Sequence, residues 1–155
     1  MLRNVAGAFP TGVSIVTATT AGRPHGCTAN AFTCLSLEPP LVLVCLGRDS
    51  TTRLQPLESR AFVVNVLPAS AEAARLSRLF AGKGGGKFSQ VGFRPGVTGG
   101  PILEAALAWL DCELATTYEG GDHTIFVGRV VAAETGASEP IVFYRGRFTA
   151  LAPLK

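Results

Sequence analysis

The sequence contains little charge and no block of one sign. Asp, Glu, Lys and Arg make up only 16% of its 155 residues, and the 14 basic and 11 acidic side chains are scattered, with a net charge of +3. Because no basic stripe is interleaved with aromatic residues, nucleic acid is not the expected partner. Apolar residues reach 47%, a high share for a chain of this size, so we expect some apolar surface to be covered in a homodimer.

Long apolar runs are missing as well. No stretch approaches the roughly 18 residues needed to cross a bilayer. The start, "MLRNVAGAFPTG", lacks the apolar segment of a signal peptide. These absences predict a cytoplasmic protein that makes no use of a membrane.

Motifs for metal, redox or hydrolytic chemistry are also lacking. The spacing of the cysteines fits neither a C-x-x-C pair nor a zinc-binding set, so we interpret them as buried free thiols and expect no metal site. A Ser/His/Asp set, an H-E-x-x-H motif and a close pair of carboxylates are not found. Chemistry in this chain would therefore have to come from a cofactor. The cysteines are Cys27, Cys34, Cys45 and Cys112.

Short strand-like segments dominate what is present. The length predicts one domain over residues 1–155. The β-branched "VSIVTATT", a turn at "AGRP" and the extended "HGCTANAFTCLSL" predict a hairpin, whereas "LVLVCL" and "AFVVNVL" are typical of strands buried on both faces. Two long strands that meet at "EGGD" and a last strand in "PIVFYRGRFTAL" follow. This series, without regular βα alternation, predicts a mostly β barrel with a few short helices.

Two segments between the strands differ in character. "SAEAARLSRLF" is predicted to be a helix with Ser70 as its N-cap. Its apolar face contains Ala73, Leu76 and Phe80. The glycine-rich piece from Gly82 to Gly100 has little periodicity, and we interpret it as a long, partly mobile loop that acts as a lid. Its "GKGGGKF" lacks the lysine and hydroxyl ending of a P-loop, which excludes a nucleoside triphosphate site.

Three stretches contain candidate ligand-binding residues. In "GRDSTTRLQPL", hydroxyl residues at the start of a short helix could bind a phosphate, with Arg48 and Arg53 nearby, or could simply cap the helix. In "GCTANAF", small and polar residues give a flat ligand access to the backbone, or face water on a sheet surface. Lys87 and Phe88 could bring a charge and a ring edge to a ligand, or be a solvated lysine beside a core phenylalanine. The residues of the first two stretches are Ser50, Thr51, Thr52, Thr28, Ala29, Asn30 and Ala31.

His123 follows Asp122 directly after the double glycine of a predicted hairpin. No nucleophile and no second metal ligand lies near it in sequence. The fragment alone leaves open whether His123 is a turn residue or a group that meets a ligand.

Five blocks together resemble a known family. "FPTGVSIVTA", "GCTANAFTCLSLEPPLVLVCL", "FVVNVL", "GDHTIFVGRV" and "PIVFYRGRF" are similar, in order and spacing, to the short-chain flavin reductases, the NAD(P)H:flavin oxidoreductases that serve two-component monooxygenases. The resemblance implies an FMN-binding split β-barrel of the Greek-key type with a few short flanking helices, which forms a homodimer. About eight residues precede "FPTG", where family members generally have a longer helix.

The resemblance also implies where ligands bind. The strand from Thr28 to Thr33 would line the isoalloxazine ring of FMN or FAD, largely through backbone groups. The turn from Cys45 to Thr52 would meet ribityl and phosphate oxygens, and the segment at Lys87 and Phe88 would close over the flavin. The implied flavin-binding residues are Thr28, Ala29, Asn30, Ala31, Thr33, Cys45, Leu46, Ser50, Thr51, Thr52, Lys87 and Phe88. The residues implied to meet the nicotinamide nucleotide are Pro10, Thr11, Gly12, His123 and Tyr144.

The activity implied is hydride transfer from NADH or NADPH to free FMN or FAD. Neither ring needs a protein acid or nucleophile for this step, so His123 would act by positioning the donor. The reduced flavin would leave and be captured by a flavin-dependent monooxygenase. A flavin carrier or sensor without turnover is the alternative, because related split barrels include such binders. The pyridoxamine phosphate oxidases share the barrel, but their arginine and lysine pattern is not visible.

Overall fold

The computed structural model describes residues 1–153, which form mainly antiparallel strands. The strands are β1 (Thr11–Gly12), β2 (Ser14–Thr20), β3 (Arg23–Ala29), β4 (Phe32–Leu37), β5 (Pro40–Gly47), β6 (Ala61–Val66), β7 (Phe93–Pro95), β8 (Pro101–Leu103), β9 (Ala108–Gly120), β10 (His123–Thr135), β11 (Val142–Tyr144) and β12 (Arg147–Thr149). Seven of them form the main sheet in the order β3, β2, β6, β9, β10, β5, β4. A smaller sheet has the order β1, β11, β12, and β7 pairs with β8.

Three α-helices flank the sheets: α1 (Leu2–Ala6), α2 (Gln55–Ser59) and α3 (Ala71–Ala81). The structure confirms the helix predicted from "SAEAARLSRLF". The hydroxyl of Ser70 accepts a hydrogen bond from the backbone N–H of Ala73 at 3.0 Å, and the predicted apolar face is buried. Across residues 1–153, no helix is both long and apolar enough to cross a membrane.

The two predicted hairpins are confirmed. β2 and β3 pair across a turn at Ala21 and Gly22, both of which have positive φ. β9 and β10 are 13 residues each and pair from Gly120 and His123 onward. Gly121 in their turn has φ +72°, a left-handed conformation that glycine adopts without a steric penalty. The second hairpin therefore fixes His123 as the first residue of a long strand.

The two apolar strands differ in burial. β6 is buried on both faces, as "AFVVNVL" predicts. The same prediction for "LVLVCL" is wrong, because Val42, Val44 and Leu46 are buried whereas Leu41 and Leu43 remain partly exposed. β5 therefore has the core on one face, and its other face is only partly covered. The neighbouring edge strand, β4, is mostly exposed.

The connection from β3 to β4 bends the main sheet. These strands are consecutive in the chain yet occupy opposite edges of the sheet, and only Asn30 and Ala31 lie between them. Because three residue steps span about 11 Å at most, the two edges must approach each other here. The backbone N–H of Cys45 donates to the carbonyl of Ala31 at 3.0 Å and fixes this corner against β5. "HGCTANAFTCLSL" is thus two strands and not the single extended segment predicted.

Three further predictions are corrected. The segment from Gly82 to Gly100 is not a structureless loop, since it contains a 3-10 turn (Lys87–Gln90) and β7. The ring of Phe88 anchors it, with ring centroids 5.2 Å from those of Phe80 and Phe93. "PIVFYRGRFTAL" contains a hairpin, β11 and β12, instead of one strand. Of the cysteines, all free, only Cys112 is buried; Cys34 is exposed on edge strand β4, and Cys27 and Cys45 are intermediate.

Candidate functional site

The main cleft lies at the corner between β3 and β4 and has a volume of about 430 Å³, within the usual range for small-molecule sites. β3, β5, the turn before α2, the segment after α3 and the start of β10 all contribute to it. The structure thus brings together most of the predicted residues. Those that line the cleft are Thr28, Ala29, Asn30, Ala31, Cys45, Leu46, Ser50, Thr51, Thr52, Lys87 and His123.

One side of the main cleft, here called the strand wall, consists of residues 27–31 and 45–47. The hydroxyl of Thr28 donates to the carbonyl of Ser77 in α3 at 2.6 Å. The hydroxyl of Ser14 donates to the carbonyl of Ala29 at 2.9 Å. Side-chain bonds to α3 and β2 therefore fix the backbone of this wall. Its small residues leave room for a flat ligand.

The hydroxyl residues lie at the far end of the strand wall. A 3-10 turn (Thr51–Leu54) precedes α2, and Ser50, although in the N-cap position, forms no side-chain capping hydrogen bond. The hydroxyl of Ser50 therefore does not cap this helical turn. Burial raises the pKa of the Cys27 thiol. Hydrogen bonding with the side chains of Ser50 and Thr52 lowers this pKa, and so does the positive charge of Lys87. The side chains of Ser50, Thr52 and Lys87 therefore lie near the Cys27 thiol.

The arginines near the hydroxyl residues do not line the main cleft. Arg48 forms an exposed ion pair with Glu119. Nη1 of Arg53 donates to the hydroxyl of Thr124 at 3.4 Å. The basic side chains that line the main cleft are therefore those of Lys83 and Lys87.

The opposite side, here called the loop wall, consists of residues 81–84 and Lys87. Nζ of Lys87 donates to the carbonyl of Gly82 at 2.6 Å and to that of Phe80 at 3.2 Å. Burial lowers the pKa of Lys87. Two carbonyls thus hold the ammonium group at the cleft. Phe88 lies outside the main cleft and lines a neighbouring one.

His123 lies where β10 pairs with Gly47 of β5. Its side chain is 48% exposed, and Nδ1 lies 2.8 Å from Oδ1 of Asp122. The hydrogen bond with His123 lowers the pKa of Asp122, and a proton on Nδ1 fits this contact. Nε2 lies on the side of Gly47, where an added Cβ would be 3.8 Å away. The ring is therefore oriented by an acid and leaves Nε2 for a ligand.

A second cleft, of about 350 Å³, adjoins the main cleft and shares Ala29 and Asn30 with it. Pro10, Thr11 and Gly12, which are predicted to meet the nicotinamide nucleotide, all line this second cleft. The hydroxyl of Thr11 is buried without a hydrogen-bond partner in the described chain.

Besides Phe88, two predicted residues lie outside both clefts. Thr33 pairs with Leu43 on the exposed side of β4 and β5. Tyr144 is 39% exposed, and the guanidinium of Arg145 lies 5.3 Å from its ring centroid. Sequence reasoning also missed lining residues, most of them in the loop wall. They are Cys27, Gly47, Asp49, Ala81, Gly82, Lys83 and Gly84. The interpretation of residues 82–100 as a lid pointed to the last three as a segment but not to any one of them.

The described chain contains no group of three His, Cys, Asp or Glu side chains placed to hold a metal ion. The mainly β fold instead offers a cleft with a flat backbone surface at one end and hydroxyls with a lysine at the other. That arrangement defines a protein that binds a flat, phosphate-bearing organic ligand.

The comparisons with known proteins identify the family. A family model described as "Flavin reductase like domain" matches residues 6–152, and the chain belongs to this family. It is 43% identical to an NADH-dependent FAD reductase of Streptomyces globisporus, over 98% of this chain and 85% of that one. It is 42% identical to the reductase component of a 4-nitrophenol 4-monooxygenase/4-nitrocatechol 2-monooxygenase of Rhodococcus opacus, over 99% and 81%.

The structural comparison agrees. The NADH:FAD oxidoreductase of Streptomyces globisporus C-1027, solved in complex with NAD and FAD fragments, superposes with a TM-score of 0.91 at 44% identity. The superposition covers 98% of this chain and 92% of that one.

Proposed function

We propose that the protein reduces free FMN or FAD with NADH or NADPH as the hydride donor. The main cleft carries this proposal, because it places a flat backbone surface beside phosphate-binding groups. The ring would lie on the strand wall at Thr28 to Ala31, and the flavin phosphate would accept hydrogen bonds from the hydroxyls of residues 50–52 and from Lys87.

The second cleft is the proposed seat of the nicotinamide. It meets the main cleft at Ala29 and Asn30, so a ring bound there would lie next to the flavin ring. Pro10, Thr11 and Gly12 line this cleft and would contact the carboxamide side of the nucleotide. His123, oriented by Asp122, would bind another part of the same nucleotide through Nε2. Contacts from Thr33 and Tyr144 remain predictions.

The flavin supplies the hydride acceptor, and the residues of this chain supply the geometry. The strand wall fixes the ring plane, because its backbone is held in two strand ladders and by the bond from Thr28 to Ser77. Backbone N–H groups near the ring would stabilise negative charge that develops during transfer. Lys87 offsets the charge of the flavin phosphate. None of these residues has to gain or lose a proton for the hydride to move.

We further propose that the chain is one domain whose curled main sheet closes as a split β-barrel, and that it forms a homodimer. Apolar side chains on edge strand β4 support the dimer, since Leu35 is 50% and Leu37 85% exposed. Light scattering of the purified protein would measure its mass. The reduced flavin would pass to a flavin-dependent monooxygenase, as the name of the Rhodococcus relative, a monooxygenase reductase component, supports.

The test of the reductase is aerobic NADH oxidation, followed by absorbance, with no flavin, with FMN and with FAD. Turnover that depends on added flavin is the expected result. In His123→Ala we expect the KM for NADH to rise more than the flavin Kd, because the side chain meets the donor. His123→Gln, which keeps a hydrogen-bond donor, should lose less. Flavin binding without oxidation of either nicotinamide nucleotide would instead make the protein a flavin carrier or sensor.

A further inference from the structure

The main cleft and the second cleft meet at the corner between β3 and β4. Among the described residues, Ala29 and Asn30 line both clefts. Ala29 has no polar atom in its side chain, whereas the side chain of Asn30 ends in an amide. A polar side-chain group therefore lies where a ligand in one cleft would meet a ligand in the other.

The second cleft offers few other polar side chains to a ligand. Of the described residues that line it, Thr11, Ser14 and Asn30 have side chains that form hydrogen bonds. Ser14 is only 3% exposed, and its hydroxyl donates to the carbonyl of Ala29. The hydroxyl oxygen of Thr11 is buried. Asn30, in contrast, is exposed, so its amide is the side-chain group that a ligand in this cleft can reach.

The backbone on either side of Asn30 is fixed. Ala29 before it is the last residue of β3 and pairs with Ser14 of β2. Ala31 after it accepts a hydrogen bond from the backbone N–H of Cys45 at 3.0 Å. An asparagine side chain is short, so anchoring the backbone also limits where the amide can lie. The corner thus holds a hydrogen-bonding group at a defined position.

The chemistry of the amide matches that of a nicotinamide. The carboxamide of the nicotinamide has an NH2 donor and a carbonyl acceptor, and the side chain of Asn30 has the same two groups in the complementary order. The carboxamide is attached to C3 of the ring, next to C4, the carbon that releases the hydride. Because the rate of hydride transfer depends on the position of C4 above the flavin, a bond to the carboxamide acts directly on that position.

We propose that the side-chain amide of Asn30 binds the carboxamide of the hydride donor and thereby places C4 against the flavin ring. During transfer the C4–H bond breaks, the hydrogen moves with its electron pair to N5 of the flavin, and the donor becomes NAD⁺ or NADP⁺. Asn30 neither gains nor loses a proton in this step. The backbone of Asn30 remains part of the strand wall under the flavin. The inference rests on the proposed function, because it requires both rings to meet at this corner.

The first test measures binding without turnover. Isothermal titration of the protein saturated with FMN or FAD gives the Kd of NAD⁺ and of 3-acetylpyridine adenine dinucleotide, in which a methyl group replaces the NH2 of the carboxamide. The wild type should bind NAD⁺ about tenfold more tightly than the analogue. Asn30→Ala should bind the two nucleotides within about twofold of each other, with the flavin Kd changed less than about twofold. Asn30→Asp, which keeps an acceptor for the NH2, should still discriminate. Asn4→Ala, which removes an exposed asparagine of α1, is the matched control.

The second test measures the chemical step. In flavin-dependent NADH oxidation, Asn30→Ala should lower kcat about 30-fold, because the ring is no longer held at reacting distance. NADH deuterated at the transferred position should then show a larger isotope effect on kcat than in the wild type, since hydride transfer has become the slow step. A side chain that only stabilised the corner would not change the isotope effect.

Three results would overturn the inference. They are equal wild-type Kd values for NAD⁺ and the analogue, undiminished discrimination in Asn30→Ala, and a flavin Kd that rises as much as the Kd of NAD⁺. The last would assign the side chain to the flavin. A protein that shows the expected Kd values but oxidises neither NADH nor NADPH would contradict only the reductase proposal.

Discussion

The two walls of the main cleft are built in different ways. In the strand wall, Cys27, Thr28 and Ala29 each pair with a residue of β2, and a side-chain bond ties Thr28 to α3. In the loop wall, Gly82 is bonded to the last turn of α3 and to Lys87, and the glycines that follow are surrounded by open space. The first wall is preset, whereas the second is fixed at its ends only.

The difference matches two requirements of flavin reduction. Hydride transfer depends on the distance and angle between two rings, so the surface under the ring has to be rigid. A flavin that leaves as product has to be released, which a wall with few contacts allows. The contrast between the walls therefore predicts which substitutions change folding and which change only binding.

The largest effect is expected from Gly26→Ala in β3, next to the strand wall. An added Cβ would lie 2.8 Å from Cε1 and 2.9 Å from Cδ1 of Phe80, whose ring is only 1% exposed. Because the buried ring cannot move freely, we expect the free energy of unfolding to fall by about 2 kcal/mol. Denaturant unfolding measures this value. A loss under about 0.5 kcal/mol would show that the strand wall can adapt.

Lys87→Met should act on binding. The substitution keeps much of the apolar stem but removes the ammonium that faces the hydroxyl residues, so we expect the Kd of FMN to rise about tenfold. Riboflavin, which has no phosphate, should bind as before. Arg129→Met, which removes an exposed cation outside the clefts, is the control. An equal loss for riboflavin would mean that Lys87 supports the shape of the wall and not the phosphate.

A smaller effect should appear in the pH dependence of stability. Burial raises the pKa of the Cys27 thiol, so at alkaline pH the unfolded chain releases this proton before the folded chain does. The stability contribution is complete below the pKa of the unfolded state and is lost as the pH rises through the folded pKa. Between about pH 8 and pH 10, the wild type should lose more stability than Cys27→Ser. Parallel urea titrations of both proteins check this, and identical pH dependence would contradict it.

The smallest effect is expected from Gly85→Ala, in the run of three glycines at residues 84–86. The new Cβ would meet no atom within 4 Å, and we expect the free energy of unfolding to change by less than about 0.5 kcal/mol. This variant is the matched partner of Gly26→Ala, since both exchange a glycine for alanine beside the same cleft. Similar losses in the two variants would remove the distinction between the walls.

Features that depend on local sequence could be predicted. The hairpin that presents His123 follows from its turn, the helix after Ser70 from its cap and apolar spacing, and the burial of β6 from an apolar run interrupted only by Asn65. Features that depend on distant segments could not. No local pattern indicates that Thr33 faces away from the main cleft, because the corner at Asn30 and Ala31 sets its direction.

A cleft lined by the start of β3 and by the glycines of residues 84–86 is a clear example of this limit. Arg23 and His25 lie in a hairpin about 60 residues from these glycines, and the packing of β3 against α3 brings the two segments together. The exposure of Cys34 has the same origin, since the order of strands places β4 at an edge.

The corner at Asn30 and Ala31 also affects how the molecule opens. It makes neighbours of the two strands that are farthest apart in the order of the main sheet, and edge strands are usually the first to fray. A flavin bound in the proposed site would touch β3 and β5, which line the main cleft, and β5 is bonded to β4. One bound ring would therefore slow amide hydrogen exchange at both edges of the sheet at once.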